Sequence, residues 1–409
     1  MFNFFRTQPV SPTAITDITA RVVQDSRRKP TVSVTVHVGA HSGTFSVPSG
    51  ASTGEREVVA LPAKEAVRAI KRIIAPALIG CSVLDQAAID DQLHELDGTA
   101  NFASLGGNAA LGVSVAATKA AASVKELETW EYIETLFATP AQAKAPRLFV
   151  NLINGGAHAD RGSQIQEHQV IPETDNVHEA FRVASAVQRT LRDVLHEEFS
   201  DADIGIGDEG GFMVPTQTLE APFRYLARAA AETEAGCAVS LGSDVAACSF
   251  WQGAHYELAG QSLDSAGLTT RLNALLAQFP TLTYVEDPAG EHDTEGFSRF
   301  LADNPACTVI GDDLTTTNPK ILEQAIAARA ISGIIIKPNQ IGTVSDTLAT
   351  MRLAYQHDVR CVVSHRSGET MDDFIADLAY GTKCFGLKAG APTAKERLAK
   401  YQRLLTIAQ

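Results

Sequence analysis

The sequence predicts an α/β protein in which an N-terminal α+β unit precedes a β/α barrel of the TIM type. Three observations support this fold class. A strictly alternating strand pattern lies near the start of the chain, alanine-rich helical patterns follow it, and short apolar runs recur throughout the second half. Most of those runs are about 25 residues apart, which is room for one strand, one helix and two loops, so the spacing favours a β/α barrel.

The first elements form a hairpin. Residues 1–17 carry no periodic signal, and we expect a loose arm there. Over Pro30–Val38, valines alternate with polar residues, which is the pattern of a half-buried strand. Gly39–Gly43 predicts a turn into a second short strand around Phe45.

A loop and three helical stretches come next. Ser49–Gly54 is too small and polar to pack, and its two glycines predict a loop that can move. Helical patterns cover 57–77, 84–95 and 108–137. Around 138–146 the proline and alanine content rises without periodicity. We therefore place the domain boundary there, with a capping domain over 18–142 and a barrel over 143–409.

The barrel strands are predicted from apolar runs that each end in a polar or charged residue. The six end residues are Asp244, Glu286, Asp312, Lys337, His365 and Lys388. The interval between the first two end residues, Asp244 and Glu286, is longer than the others and leaves room for an inserted segment. A doubly wound open sheet has the same strand and helix alternation, but no Gly-x-Gly-x-x-Gly turn follows a first strand to support that alternative.

Composition narrows the function classes. The chain has 409 residues and a formal net charge of −14, so its surface has no overall attraction for nucleic acid or anionic lipid. No apolar stretch approaches the ~20 residues of a membrane span and no secretory signal opens the chain, which predicts a cytoplasmic protein. The six cysteines form no Cys-x-x-Cys pair, and we expect buried, reduced thiols.

The strand ends carry the candidate chemistry. In a parallel β/α barrel the carboxyl ends of the strands share one face, and that face holds the active site. Asp244, Glu286 and Asp312 would bring three hard oxygen ligands together there, which suits Mg²⁺. Lys337 leaves a buried strand, and a nearby divalent cation would favour its neutral amine, which can act as a base.

Basic groups flank the same face. Arg366, Ser367 and Lys388 supply donors for phosphate and carboxylate oxygens, so the implied substrate is a small, multiply anionic molecule. A lysine base, a carboxylate metal site and anion-binding donors together indicate proton abstraction next to a carboxylate.

Nine short segments, in order along the chain, resemble the signature segments of the enolase family. They are Ser49–Gly54, Asn154–His158, Gln166–Glu167, Gly207–Gly211, Glu286–Pro288, Gly311–Leu314, Lys337–Thr343, Ser364–Thr370 and Lys388–Pro392. The resemblance extends from about Arg21 to the C-terminus. It implies an enolase-like fold, with an α+β capping domain and a barrel whose first units run ββαα.

The resemblance also implies a reaction and two cofactor ions. The reaction is the reversible dehydration of 2-phosphoglycerate to phosphoenolpyruvate with two Mg²⁺ per active site. The first ion would be held by Asp244, Glu286 and Asp312, and Ser52 on the mobile loop would help to hold the second.

Further roles follow from the same resemblance. Lys337 is implied as the base that takes the C2 proton, and Glu209, with Glu167 beside it, as the general acid for the C3 hydroxyl. A homodimer is also implied. The implied substrate contacts are His158, Gln166, His365, Arg366, Ser367 and Lys388.

Some positions depart from the family pattern and keep alternatives open. His168 and Gln169 stand where an aromatic–Met pair is usual, and Arg161 places a cation in a loop that is usually glycine-rich. A guanidinium can bind a further anionic group, so an enolase paralogue acting on a carboxyphosphono analogue is one alternative. A non-catalytic scaffold is another, although retention of the three carboxylates, Lys337 and Glu209 argues against it.

Overall fold

In a computed structural model, residues 11–50, 56–160, 162–216 and 218–409 are described. The N-terminal unit begins with a three-stranded antiparallel sheet in the order β1-β2-β3. Its strands are β1 (Asp17–Gln24), β2 (Pro30–Val38) and β3 (His41–Ser46). The predicted hairpin is confirmed. Within the predicted N-terminal arm, Ile15 is buried and Asp17 already belongs to β1, a strand that the periodicity analysis did not find.

Five helices pack beside this sheet. They are α1 (Ala63–Ala69), which continues through a π-helical turn at Ile70–Ile74 into α2 (Ala75–Leu78), then α3 (Gln86–Asp97), α4 (Gly107–Val124) and α5 (Thr129–Phe137). Helix α4 crosses β2 and β3 closely: a Cβ on Gly43 would lie 2.3 Å from the carbonyl oxygen of Ala116. The many alanines of α4 therefore permit a short distance between helix and sheet.

Two helix predictions were wrong at particular points. The helix expected from residue 57 starts at Ala63, because Pro62 disfavours the helical conformation of the residue before it. The single helix expected over 108–137 is two helices. Glu126 has a φ of 56°, which ends the first, and a reciprocal capping box between Glu128 and Glu131 begins the second.

The second half of the chain closes into an eight-stranded barrel in the order β4-β5-β8-β11-β12-β13-β14-β15, with β15 returning to β4. Strand β5 is antiparallel to both neighbours and the other pairings are parallel. The barrel strands are β4 (Arg147–Asn154), β5 (Glu167–Pro172), β8 (Val239–Asp244), β11 (Leu282–Glu286), β12 (Thr308–Gly311), β13 (Gly333–Ile336), β14 (Arg360–Ser364) and β15 (Gly386–Lys388).

Helices and two small hairpins surround the barrel. The hairpin strands are β6 (Gly205–Ile206), β7 (Phe212–Met213), β9 (Tyr256–Leu258) and β10 (Gln261–Leu263). The helices are α6 (Val177–His196), α7 (Ala221–Glu232), α8 (Ser265–Gln278), α9 (Thr294–Asp303), α10 (Pro319–Ala327), α11 (Pro338–Ile341), α12 (Val344–Gln356), α13 (Phe374–Gly381) and α14 (Lys395–Ile407). The start of the barrel runs ββαα, and the fold class is confirmed.

A separate apolar cluster fills part of the barrel interior. Its members are Phe149, Ile171, Tyr284, Ile310, Ile335, Val362 and Phe385. The ring centroids of Phe149 and Tyr284 are 5.2 Å apart in an edge-to-face arrangement. On the parallel strands these side chains precede the polar strand-end residues, as Ile310 precedes Asp312 and Ile335 precedes Lys337, and on antiparallel β5 Ile171 follows Glu167. The polar groups of the barrel interior therefore lie together on one side of this cluster.

Two sequence expectations concern the chain as a whole. All six cysteines are free, but only Cys307, Cys361 and Cys384 are buried, and Cys81 is exposed. The expectation of uniformly buried thiols was therefore wrong. Among the described residues, no helix combines the length and the apolar character needed to cross a membrane.

Candidate active site

The predicted site residues meet around a cavity of about 300 Å³, at the face formed by the carboxyl ends of the parallel barrel strands and the amino end of antiparallel β5. Glu286 is buried beside this cavity, with a carboxylate oxygen within 4.8 Å of those of Asp244 and Asp312. Ser52 and Arg161 lie outside the described residues. The predicted residues that line the cavity are His158, Gln166, Glu167, Glu209, Asp244, Asp312, Lys337, His365, Arg366, Ser367 and Lys388.

Two of the three acidic strand-end residues, Glu286 and Asp244, contact a buried lysine. Lys388 Nζ lies 2.8 and 2.9 Å from the two carboxylate oxygens of Glu286 and 3.3 Å from Asp244 Oδ2. Burial, and next the charge of Asp244, raise the pKa of Glu286 well above its usual value. Acidic groups held this close in a buried site favour a cation among them.

The donor set fits a magnesium ion. Asp244, Glu286 and Asp312 offer only oxygen atoms, and each comes from a different strand, so their separation is set by the rigid barrel. Hard oxygen ligands are those that Mg²⁺ prefers. Gln166 also donates a hydrogen bond to Asp244 Oδ2, at 3.3 Å, which helps to orient that carboxylate.

Lys337 follows β13 directly and reaches across to Asp312, where its Nζ donates to Oδ2. Burial disfavours the ammonium form, but the charge of Asp312 outweighs it, so the pKa of Lys337 is raised. Whatever neutralises Asp312 therefore controls whether Lys337 carries a proton. The second oxygen of Asp312 accepts from Gln340 Nε2 at 3.0 Å.

Two carboxylates face each other across His158. Its Nε2 lies 3.7 Å from Oε1 of Glu209 and 3.9 Å from Oε1 of Glu167. Burial, then the charge of Glu209, raise the pKa of Glu167 to about 8. Burial acts on Glu209 in the same direction, but His365 and His158 outweigh it and its pKa is lowered. Of the two carboxylates, Glu167 is therefore the one whose surroundings favour the protonated form.

Two amides that the sequence analysis did not identify as site residues hold these carboxylates. Asn151 Nδ2 donates to Glu209 Oε2 at 3.0 Å, and Gln169 Nε2 donates to Glu167 Oε2 at 2.8 Å. The amides are opposite each other in the β4–β5 pairing. Each carboxylate thus has one oxygen tied to an amide and leaves Oε1 facing His158. In the sequence, the departure from the family pattern at Gln169 was the one sign that this position could belong to the site.

The predicted phosphate contact, Arg366, is held by a third residue that the sequence analysis did not identify, Glu57. The guanidinium nitrogens lie 3.0 and 3.1 Å from the two Glu57 carboxylate oxygens, and both side chains are buried. Glu57 belongs to the N-terminal unit and follows the loop Ser49–Gly54 by three residues. Its position beside that loop indicated that Glu57 could lie near the site, but nothing in the sequence predicted its pairing with Arg366.

Fold and site together define a β/α-barrel enzyme that combines a buried acidic cluster, a buried and a half-buried lysine, and a carboxylate pair. The family model "Enolase, N-terminal domain" matches residues 15–133, and "Enolase, C-terminal TIM barrel domain" matches residues 143–409. The chain is 37% identical to the enolase of Aeropyrum pernix, with 97% of this chain and 94% of that protein covered. It is 39% identical to the enolase of Wolinella succinogenes, with 96% of each covered.

The chain therefore belongs to the enolase family. It is an enzyme of the lyase class, with an enolase-type reaction.

Proposed function

We propose that the protein catalyses the reversible dehydration of 2-phosphoglycerate to phosphoenolpyruvate and uses two Mg²⁺ ions. The observation that carries the proposal is that one cavity brings together the acidic cluster, Lys337 and the pair of Glu167 and Glu209. Asp244, Glu286 and Asp312 would hold the first ion, and Ser52 would help to hold the second. Bound Mg²⁺ supplies positive charge that stabilises the extra negative charge of the enediolate.

The protein's own groups divide the two proton transfers. Lys337 removes the C2 proton, and its amine becomes available as a base when Asp312 is neutralised by a cation other than the ammonium. The Glu167 and Glu209 pair then protonates the departing C3 hydroxyl. Because Oε1 of each carboxylate lies within 3.9 Å of His158 Nε2, the two carboxylates act as one unit with His158 between them.

The remaining cavity residues bind the substrate. Arg366 and Ser367 contact the phosphate, Lys388 contacts the carboxylate, and His158, Gln166 and His365 complete the wall. Planar guanidinium donors suit phosphate oxygens, and the carboxylate of Glu57 keeps Arg366 in a fixed orientation.

Separate measurements of the two steps test this assignment. Lys337→Ala is expected to abolish exchange of the C2 hydrogen of 2-phosphoglycerate with solvent deuterium. Glu209→Gln and Glu167→Gln are expected to keep that exchange but to lose phosphoenolpyruvate formation by roughly 10²–10⁴-fold. Exchange that persists in Lys337→Ala, or that vanishes in Glu209→Gln, would contradict these catalytic roles.

Mg²⁺ binding, measured by calorimetry, is the control for these variants. Lys337→Ala removes an ammonium group from Asp312, so its Mg²⁺ affinity is not expected to fall. A wild-type protein that binds Mg²⁺ but does not turn over 2-phosphoglycerate would instead favour the paralogue acting on a carboxyphosphono analogue. A wild-type protein that neither binds Mg²⁺ nor turns over 2-phosphoglycerate would favour the scaffold role.

We also propose a homodimer. Two features support it: β1 is an edge strand, and Arg21 and Val22 on it are exposed. Analytical ultracentrifugation at micromolar concentration is expected to give twice the mass of the 43.5 kDa chain. A monomer at that concentration would overturn the proposal.

A further inference from the structure

A buried arginine lies behind the cavity wall. Arg397, on the first turn of α14, has no exposed surface, although neither the sequence motifs nor the mechanism uses it. Its guanidinium donates to the backbone carbonyls of Asp208, Arg366 and Ser367. Its Nη1, which donates to the Arg366 carbonyl, also lies 2.7 Å from Nδ1 of His365. Nδ1 is on the side of the imidazole ring opposite Nε2.

This contact determines which ring nitrogen of His365 carries the hydrogen. A guanidinium has only donors and stays protonated in proteins, so Nδ1 of His365 must be the acceptor. A neutral imidazole with a free Nδ1 lone pair carries its hydrogen on Nε2. The ring is neutral near pH 7, since burial lowers the pKa of His365 to about 4.

The Nε2–H group points toward the substrate cavity. His365 lines the cavity, and Nε2 lies 3.2 Å from Oε1 of Glu209. That contact is not aligned as a hydrogen bond, and Nε2 has no aligned partner among the described residues although it is buried. A buried donor without an aligned acceptor costs free energy, so its hydrogen-bonding capacity is available to a bound molecule.

Close packing keeps the ring in this position. A Cβ on Gly390 would lie 3.0 Å from Cε1 of His365 and 2.8 Å from the carbonyl oxygen of Glu209. The glycine thus leaves room for both the imidazole ring of His365 and the backbone of Glu209 beside it. His365 N also donates to the carbonyl of Lys388, which fixes the main chain at the strand end.

We propose that Arg397 is a positioning residue that fixes His365 as the Nε2–H tautomer. His365 then serves as a neutral hydrogen-bond donor to an oxygen of the substrate, and not as a base. The tautomer assignment stands on the contacts of Arg397 alone. The donation to substrate rests on the proposed function. One consequence is that His365 does not compete with Lys337 as a base.

Arg397 also supports the backbone of Arg366 and Ser367, so loss of activity in an Arg397 variant would not separate tautomer control from general damage. The test therefore begins with nitrogen NMR of the wild-type protein labelled with ¹⁵N-histidine. The chain has 11 histidines, and the His365 signals are assigned by their loss in His365→Gln. At pH 7 we expect a protonated Nε2 and an unprotonated Nδ1. A protonated Nδ1, or an imidazolium, would overturn the proposal.

Variants of α14 supply the second arm. Arg397→Met is expected to give a mixture of tautomers, because Nδ1 loses its donor. Arg397→Lys, which keeps a donor without an acceptor, is expected to restore the Nε2–H form. Tyr401→Phe is the matched control: it removes a buried hydrogen bond to the Gly390 carbonyl from the same helix and is expected to leave the tautomer unchanged. An unchanged tautomer in Arg397→Met would refute control by Arg397.

Turnover of 2-phosphoglycerate tests the donor role. A glutamine amide nitrogen can take the place of Nε2, whereas an asparagine amide nitrogen lies nearer the place of Nδ1. His365→Gln is therefore expected to keep about tenfold more kcat than His365→Asn, the size of one hydrogen bond. Equal losses in the two variants would refute donation to substrate. If the wild type fails to turn over 2-phosphoglycerate, the proposed function fails while the NMR result still decides the tautomer.

Discussion

The ion pair between Glu57 and Arg366 gives the sharpest test of how the N-terminal unit supports the site. Its two N···O distances are 3.0 and 3.1 Å, and the two side chains are 6% and 5% exposed, so water screens the charges little. Glu57→Gln keeps the shape and removes the charge. Breaking a buried pair on one side costs about 3–5 kcal/mol. Because glutamine retains one acceptor, we expect a loss near the lower end of that range.

The assay compares this variant with a matched control. Glu295→Gln removes one side of the Glu295–Arg299 pair, in which the glutamate is 85% exposed, and exposed pairs contribute only ~0–1 kcal/mol. Urea denaturation of both variants without ligand gives the two free energies of unfolding. Glu57→Gln is also expected to raise KM more than it lowers kcat, because the proposed contact of Arg366 with the phosphate is made in both ground and transition states. Equal losses of stability in the two variants would refute the argument that burial makes the Glu57–Arg366 pair costlier to break than an exposed pair.

Three further predictions address other parts of the chain. Gln169→Met removes the donor to Glu167 and is expected to lower product formation about tenfold while C2 exchange persists; Gln164→Met, a loop substitution, should change neither. Burial lowers the pKa of His168 from 6.5 to about 4, so the free energy of unfolding is expected to fall by about 2 kcal/mol between pH 7 and pH 5. His168→Phe should flatten this pH dependence in urea denaturation, and an unchanged pH dependence would contradict the prediction. Mg²⁺ at 100 times its dissociation constant should raise the free energy of unfolding by about 2.7 kcal/mol, and a gain that survives in Asp312→Asn would count against the ligand set.

The sequence by itself predicted the elements whose signals are local. The valine alternation of β2 and the apolar runs of the later barrel strands depend on residues a few positions apart. Strand ends in a parallel barrel converge by geometry, so the sequence was enough to predict that Asp244, Glu286 and Asp312 share one face. The signature segments added the family and the candidate roles.

Only the tertiary structure decided the contacts that hold those residues in place. Glu57 and Arg366 are 309 positions apart, and Arg397 and His365 are 32 apart on different elements. Neither periodicity nor motif spacing carries information about which distant polar groups meet. Such pairs form because burial leaves each charge or donor no water, so the fold must supply a partner. The sequence thus determined which chemical groups reach the cavity, and packing decided how Arg366 is oriented, how Glu167 and Glu209 are placed around His158 and which His365 nitrogen faces Arg397.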